Sequence, residues 1–278
     1  MKFLKKHLFK GLIGMAAMVT TIHVIHALTL DRIIQYVEIP FHSDRLPPEL
    51  EGYRIAFISD IHYMSTIQLK EIVSYLNTNI PNIDLLLLGG DNPINPHVSW
   101  TILNILSYVN TTDGIFGVEG NHDRREYLFP AMLDNGITPL FNHGVYARPN
   151  LFIAGTSCLR RVYPISASIE RAIENAQPDD FVILLAHQPD IVMQQSTLGV
   201  DLVLSGHTHG GEVTFFGRWA PALTFTNVTQ YGHRFMSGWA TSKDDTPVYV
   251  TNGVGNHTVR MFARPQVVII TLTNNGSN

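Results

Sequence analysis

The chain has 278 residues and a formal net charge of −4, from 19 Lys and Arg against 23 Asp and Glu. That balance argues against a generic nucleic-acid binder, whose footprint is basic, while 45% hydrophobic residues supply a substantial core. The single cysteine, Cys158, excludes an intrachain disulfide and reads as a small buried hydrophobe.

At the N-terminus, Lys2, Lys5, Lys6 and Lys10 precede "GLIGMAAMVTTIHVIHALTL", Gly11 to Leu30, which carries no formal charge. Its length matches the ~20 residues a helix needs to cross a bilayer. Three readings compete: an uncleaved signal anchor, a cleaved signal peptide, and a helix lying on the membrane surface. The run is long for a signal peptide and lacks a well-formed small-residue cleavage site near Ala27, so the anchor leads. His23 and His26 weigh against it, because ionisable groups in hydrocarbon are costly. Lysines before the run, with only Arg32 close behind it, predict a single-pass protein of the cell membrane. Its N-terminus is then cytoplasmic and the remainder extracytoplasmic. The expected organisation is an anchor over 1–30, a linker and lead-in strand over 31–52, a globular domain over 53–273 and a disordered tail over 274–278.

Within the domain, apolar runs predict strands at 54–59, 84–90, 114–120, 151–156, 181–187, 202–206, 247–253 and 266–272. Several are apolar throughout, as strands covered on both faces are, which points to a layered α/β domain. Between them, Leu69, Ile72, Val73 and Leu76 follow helical spacing, with Ser65 or Thr66 as cap, and "SIERAIENA" does likewise. "TFFGRWAPA" at 214–222 reads first as packing, and otherwise as an apolar rim or lipid contact. His97, His143 and His233 read as structural or surface residues.

The informative pattern lies at the strand ends. "RIAFIS" runs into Asp60-Ile61-His62, "DLLLLGG" into Asp91-Asn92 and "GIFGVEG" into Asn121-His122-Asp123. "FVILLA" runs into His187, and "LVLSG" into His207-Thr208-His209. In α/β sheets, ligand sites are built at the carboxyl ends of strands. Any one of these could be a capped turn or a satisfied buried histidine; all of them at equivalent positions cannot be explained that way. Asp, His and Asn without Cys form a borderline-to-hard donor set suited to Mn, Fe or Zn in a hydrolytic site. There are more donors than one tetrahedral ion uses, and two ions sharing a carboxylate would account for them, the arrangement for in-line displacement at phosphorus.

This set, Asp60-x-His62, Gly90-Asp91, Gly120-Asn121-His122-Asp123, His187 and Gly206-His207-x-His209, resembles the calcineurin-like metallophosphoesterase family. Within it the anchor, "GHTHGGE" and "TNGVGNHTVRMFARPQVVIITL" are similar to the membrane-associated bacterial phosphodiesterases of the YkuE/YaeI type. The resemblance implies a four-layer α/β/β/α sandwich of two mixed sheets and two divalent metal ions, Mn2+ first and Zn2+ or Fe after it. It implies that Asp60, His62 and His209 bind one metal, that Asn121, His187 and His207 bind the other, and that Asp91 and a hydroxide bridge them. His122 would act as general acid, with Asp123 orienting its ring. Arg124, His257 and Arg260 are candidate substrate contacts. The implied activity is phosphohydrolase or phosphodiesterase, with a lipid-linked or nucleotide-sugar pyrophosphate as a natural substrate and no protein partner. The alternatives are a non-catalytic scaffold, disfavoured because no ligand is missing, and a nucleotide-processing phosphoesterase. An acidic balance without a basic stripe speaks against nucleic acid as partner.

Overall fold

The structure is a computed structural model that describes residues 2–93, 95–159, 167–255 and 259–274. Tail residues 275–278 and His257 lie outside the described residues. The strands are β1 Gln35–His42, β2 Arg54–Ile58, β3 Leu85–Leu88, β4 Ile115–Gly117, β5 Ile137–Pro139 and β6 His143–Arg148. They continue with β7 Leu151–Gly155, β8 Phe181–Leu185, β9 Leu202–Ser205, β10 Gly238–Thr241, β11 Pro247–Val250 and β12 Gln266–Thr273. The helices are α1 Lys2–Leu28, α2 Thr66–Asn79, α3 Pro96–Leu106, α4 Arg125–Asp134, α5 Ile169–Ile173, α6 Ile191–Gln194 and α7 Pro221–Phe225. Every apolar run read as a strand forms one.

Two six-stranded sheets result, ordered β1-β12-β2-β3-β4-β5 and β10-β11-β9-β8-β7-β6. Both are mixed: β2, β3 and β4 run parallel in the first, and β7, β8 and β9 in the second, beside antiparallel partners. The alternation of side chains along a strand explains the uninterrupted apolar runs. Ile55, Phe57, Leu85 and Leu87 face one core, where they meet Ile153, Ile183, Leu202 and Leu204 of the second sheet. Their neighbours Ala56, Ile58, Leu86 and Leu88 face α2, α3 and α4. On the other side Phe152, Val182, Leu184 and Val203 pack beneath α5 and α6. Helices, sheet, sheet and helices therefore stack as four layers. Ser65 caps α2, its Oγ accepting from the Gln68 N–H at 3.2 Å, and Leu69, Ile72, Val73 and Leu76 are buried as their spacing predicts. Cys158 is buried.

Part of the predicted linker is sheet: β1 pairs in parallel along the whole of β12. The helix α1 is unlike the rest. Lys6–Arg32 is apolar yet almost wholly unburied, so Phe9, Leu12, Met15, Met18 and Ile25 stand exposed. This helix is long and apolar enough to cross a membrane, at about 1.5 Å of rise per residue.

Candidate metal centre

Strand ends from both sheets converge on one cleft. Asp60 and His62 follow β2, Asp91 follows β3 and Asn121 and His122 follow β4, while His187 follows β8 and His207 and His209 follow β9. Two groups of donors result, Asp60 with His62 and His209, and Asp91 with His187 and His207; in each, the donor atoms lie within 4.8 Å of one another. Each group takes side chains from both sheets, so neither exists until the sheets are docked. Asn121 joins the second, its Oδ1 3.1 Å from His187 Nε2. Asp91 Oδ2 stands between the groups, 3.2 Å from His187 Nε2 and 3.5 Å from His62 Nε2.

The backbone is distorted to achieve this. Asp60, His62, Asp91, His207 and His209 all have positive φ, from 40° to 72°. None is glycine, and the left-handed region costs an L-residue of order 1–2 kcal/mol; such strain persists only where surrounding structure enforces it. Here loops lock to one another: the His207 N–H donates to both Asp60 oxygens at 3.0 and 3.1 Å, and the His122 N–H donates to Asp91 Oδ1 at 2.8 Å. Gly206 is required by a close approach, since a Cβ there would overlap the Asp60 carboxylate and Ser59 Oγ.

Hydrogen bonds set the imidazole tautomers. His187 Nδ1 lies 2.7 Å from the Gly89 carbonyl, an acceptor only, so Nδ1 carries a proton and Nε2, which faces Asp91 and Asn121, is the nitrogen that a metal would take once its own proton has left. His207 is reversed: Nε2 donates to the Val228 carbonyl at 2.8 Å and Nδ1 is left as the lone-pair nitrogen. His62 Nε2 and His209 Nε2 face each other at 3.0 Å beside Asp60 Oδ1, which is 3.4 Å from His209. Convergent lone pairs of imidazole, carboxylate and carboxamide are the environment of a borderline-to-hard divalent cation, and the residues present fit one in each group.

The electrostatics agree. Burial lowers the His187 pKa, but the Asp91 carboxylate outweighs it and pushes the group up to about 10. Burial, reinforced by the charge on His187, lowers His207 to about 4, leaving it neutral near pH 7. Burial would raise Asp91, yet His187, His62 and the His122 N–H hold it well below the usual carboxylate range. Asp60 is raised, chiefly by burial, with His187 opposing and Asp91 adding to the rise. Asp91 is thus held as a carboxylate at the centre of the site, where it raises the pKa of both His187 and Asp60.

Around this centre Asn121, His122, His209, Glu212, Ala222 and Val228 help wall a cavity of about 250 Å³. His122 reaches it with its ring 5.3 Å from that of His62. Asp123, expected to orient that ring, directs its carboxylate to backbone groups. Its carboxylate accepts the N–H groups of Asp91, Asn92 and Gly120 at 2.8, 2.9 and 2.7 Å, tying the β3 and β4 loops together. Burial and the Asp91 charge both raise its pKa. Arg260, expected against substrate, is instead 2% exposed and donates to the carbonyls of Ala263, Asn252 and Gly255 behind His209. Arg124 is exposed and makes no ion pair among the described residues, whereas Arg125 grips Glu119 and stacks on Phe141. Sequence reasoning passed over Glu212, Ala222, Val228 and Gln188, whose Nε2 lies 3.5 Å from His207 Nε2. Only the Glu ending "GHTHGGE" carried a signal. Within "TFFGRWAPA" the packing reading holds for Thr214 and Ala220, which are buried, whereas Phe215, Phe216 and Trp219 stay exposed although their rings touch His23, Phe262 and His233; His233 holds structure, its Nε2 accepting from the Ala220 N–H.

Two mixed sheets carrying paired Asp/His groups on their strand ends define a metallophosphoesterase. Residues 53–211 match the family model described as calcineurin-like phosphoesterase, and the chain belongs to that family. It is 27% identical to the uncharacterized metallophosphoesterase YkuE of Bacillus subtilis, covering 86% of each chain. It is 29% identical to phosphodiesterase YaeI of Escherichia coli, covering 84% of this chain and 85% of that one. It is also 29% identical to a bovine transmembrane protein with metallophosphoesterase domain, over 89% of this chain but only 59% of the relative. The enzyme is thus a metallophosphoesterase whose family uses divalent metals, with two groups able to hold them.

Proposed function

We propose that this protein is a membrane-anchored phosphodiesterase with a two-metal centre, acting on a lipid-linked or nucleotide-sugar pyrophosphate. The observation that carries the two-metal reading is Asp91 Oδ2, which lies within 3.5 Å of an imidazole nitrogen from each donor group. Asp60, His62 and His209 would hold one cation and Asn121, His187 and His207 the other, with Asp91 within reach of both. The mixed oxygen and imidazole set favours Mn2+, with Zn2+ or Fe as substitutes. When bound, such a pair offsets charge on phosphate oxygens and brings the pKa of a bound water towards neutrality.

The chain's own groups do the rest. His122, reaching the cavity from the β4 end, donates a proton to the leaving-group oxygen. The Gly89 and Val228 carbonyls accept from His187 Nδ1 and His207 Nε2, which leaves the opposite nitrogen of each ring for a metal. Asp123 holds the loops bearing Asp91 and Asn121 at fixed separation. The cavity is smaller than the ~300–1,000 Å³ of sites that enclose a drug-sized ligand. It receives the phosphoryl group, and the bulk of the substrate lies over the rim.

Residues 1–30 are the anchor, with the cytoplasmic side set by the N-terminal lysines, and 53–273 the catalytic domain, with 31–52 leading into it. The test is hydrolysis of bis-p-nitrophenyl phosphate, p-nitrophenyl phosphate and lipid pyrophosphates by full-length protein with Mn2+, Zn2+ or Mg2+. Metal-dependent turnover of the diester and the lipid pyrophosphate is expected; no metal-dependent turnover of any substrate overturns the reading.

A further inference from the structure

The last turns of α1 are mounted on an aromatic cluster. The His26 ring stacks on Phe262 at 3.8 Å between centroids, and the His23 ring lies 4.6 Å from Phe216 and 5.4 Å from Phe215. Asp31 completes the mount, its Oδ2 accepting from His26 Nδ1 at 2.7 Å and from the Phe262 N–H at 2.8 Å. The two histidines that weigh against a membrane span thus stand at its base, turned towards the domain.

From that base an apolar surface continues towards the metal cavity. A tight hairpin, closed by the Phe215 N–H donating to the Trp219 carbonyl at 2.7 Å, leads into α7. Phe215 is 53% exposed, Trp219 43% and Phe225 77%. The Trp219 and Phe225 rings are in contact, 6.1 Å apart. Phe216, also exposed, is held at φ 53°, a costly conformation for a bulky residue. Ala222 on α7 and Glu212 just before the hairpin line the metal cavity. Singly exposed apolar residues need no explanation, but a contiguous aromatic patch does. Trp219 beside the end of an apolar helix matches the belt that anchors proteins at the membrane–water interface, the Phe side chains around it supply apolar area of the kind buried by interfacial segments, and the exposed Arg218 between them suits lipid phosphates.

We propose that the segment 213–225 is a membrane-seating collar. With α1 in the bilayer, the side chains of Phe215, Phe216, Trp219 and Phe225 enter the lipid interface. They hold the mouth of the metal cavity against the headgroup layer, so that a phosphoester carried on a lipid reaches the centre from within the membrane. The occupant of the patch is the lipid surface, because the patch is continuous with α1. The proposal rests on the anchored reading of α1 given above.

The test uses the full-length chain in phosphatidylcholine–phosphatidylglycerol vesicles, with Trp100→Phe and Trp239→Phe leaving Trp219 as reporter. Brominated phosphatidylcholine is expected to quench Trp219 at least about twofold, and iodide to leave it largely unquenched. The companion chain retaining only Trp100, which is 43% exposed on α3, should respond in the opposite way. Flotation after carbonate extraction reads the anchor separately. A chain that floats while Trp219 is open to iodide overturns the collar and leaves the anchor standing. A chain that floats with Trp219 shielded from both quenchers also overturns the collar, in favour of a protein surface covering the patch. A chain that fails to float overturns both. Hydrogen exchange on the unsubstituted protein gives an independent readout: peptides spanning 213–225 should be protected in vesicles relative to detergent, and equal exchange in both counts against the collar.

Discussion

The strand-end loop Gly206–Glu212 and the segment Val213–Phe225 adjoin in sequence and are built on opposite terms. In the first, His209 is buried and His207 partly buried, both adopt positive φ, and each ring is held by a partner, His209 by His62 after β2 and His207 by the Val228 carbonyl. In the second, Phe215, Phe216, Trp219 and Phe225 stand exposed, and the aromatic contacts run mainly among themselves and to α1. One region trades stability for geometry, as sites that must present convergent donors do. The other leaves apolar area open, which favours burial elsewhere by ~25 cal/mol per Å². The first recognises an ion and a phosphoryl group, the second a surface.

Substitutions should separate the two regions by size of effect. Asp91→Asn is expected to be most severe, abolishing metal-dependent hydrolysis and lowering bound metal in both groups, read by elemental analysis beside diester turnover. His122→Ala should keep its metal and lose ~10²–10⁴-fold in kcat, the range for removal of a general acid; loss of metal together with rate would move His122 into the ligand set. For Arg260→Met the expected loss is of stability, about 1–3 kcal/mol by chemical denaturation, because buried carbonyls of Asn252, Gly255 and Ala263 lose their donor. A rise in KM at unchanged stability would restore it to the substrate. Smallest should be Arg124→Ala, exposed and without an ion-pair partner among the described residues, which should leave stability within about 0.5 kcal/mol.

Acidity gives a further test. The His187 pKa is raised from 6.5 to about 10 in the fold, so protonation at this site stabilises the metal-free protein. The contribution is fully present below pH 6.5 and is lost as pH rises through about 10. Denaturation of metal-free protein should therefore show stability falling over that window. Metal binding near pH 7 should release a proton from His187 and none from His207, whose pKa of about 4 leaves it already neutral. Calorimetry in buffers of different ionisation heat would measure that release.

Much of this was legible in the sequence, for identifiable reasons. Interior strands such as β2, β3, β8 and β9 are apolar on both faces, so their polar ends stand out against the runs before them. The edge strands β1, β5, β6 and β10 are largely half-exposed or exposed and give little contrast. The ligand residues were readable because each follows a strand. The task of Asp123 was not, since its partners Asp91 and Asn92 lie on another strand's loop. Nor was the burial of Arg260, which depends on backbone carbonyls that no side-chain pattern reveals. His23 and His26 argued against a membrane span by composition, and only their contacts with Phe216 and Phe262 show them at the base of α1.

The central claim is that the two donor groups hold two divalent cations that share Asp91 and together support phosphodiester hydrolysis. It is tested most directly by titrating chelator-treated protein with Mn2+ while following bound metal per chain and hydrolysis of bis-p-nitrophenyl phosphate. The account predicts no activity without metal and a plateau at two ions per chain. Full activity in the metal-free protein, or a plateau at one ion that persists in His207→Ala, would contradict it.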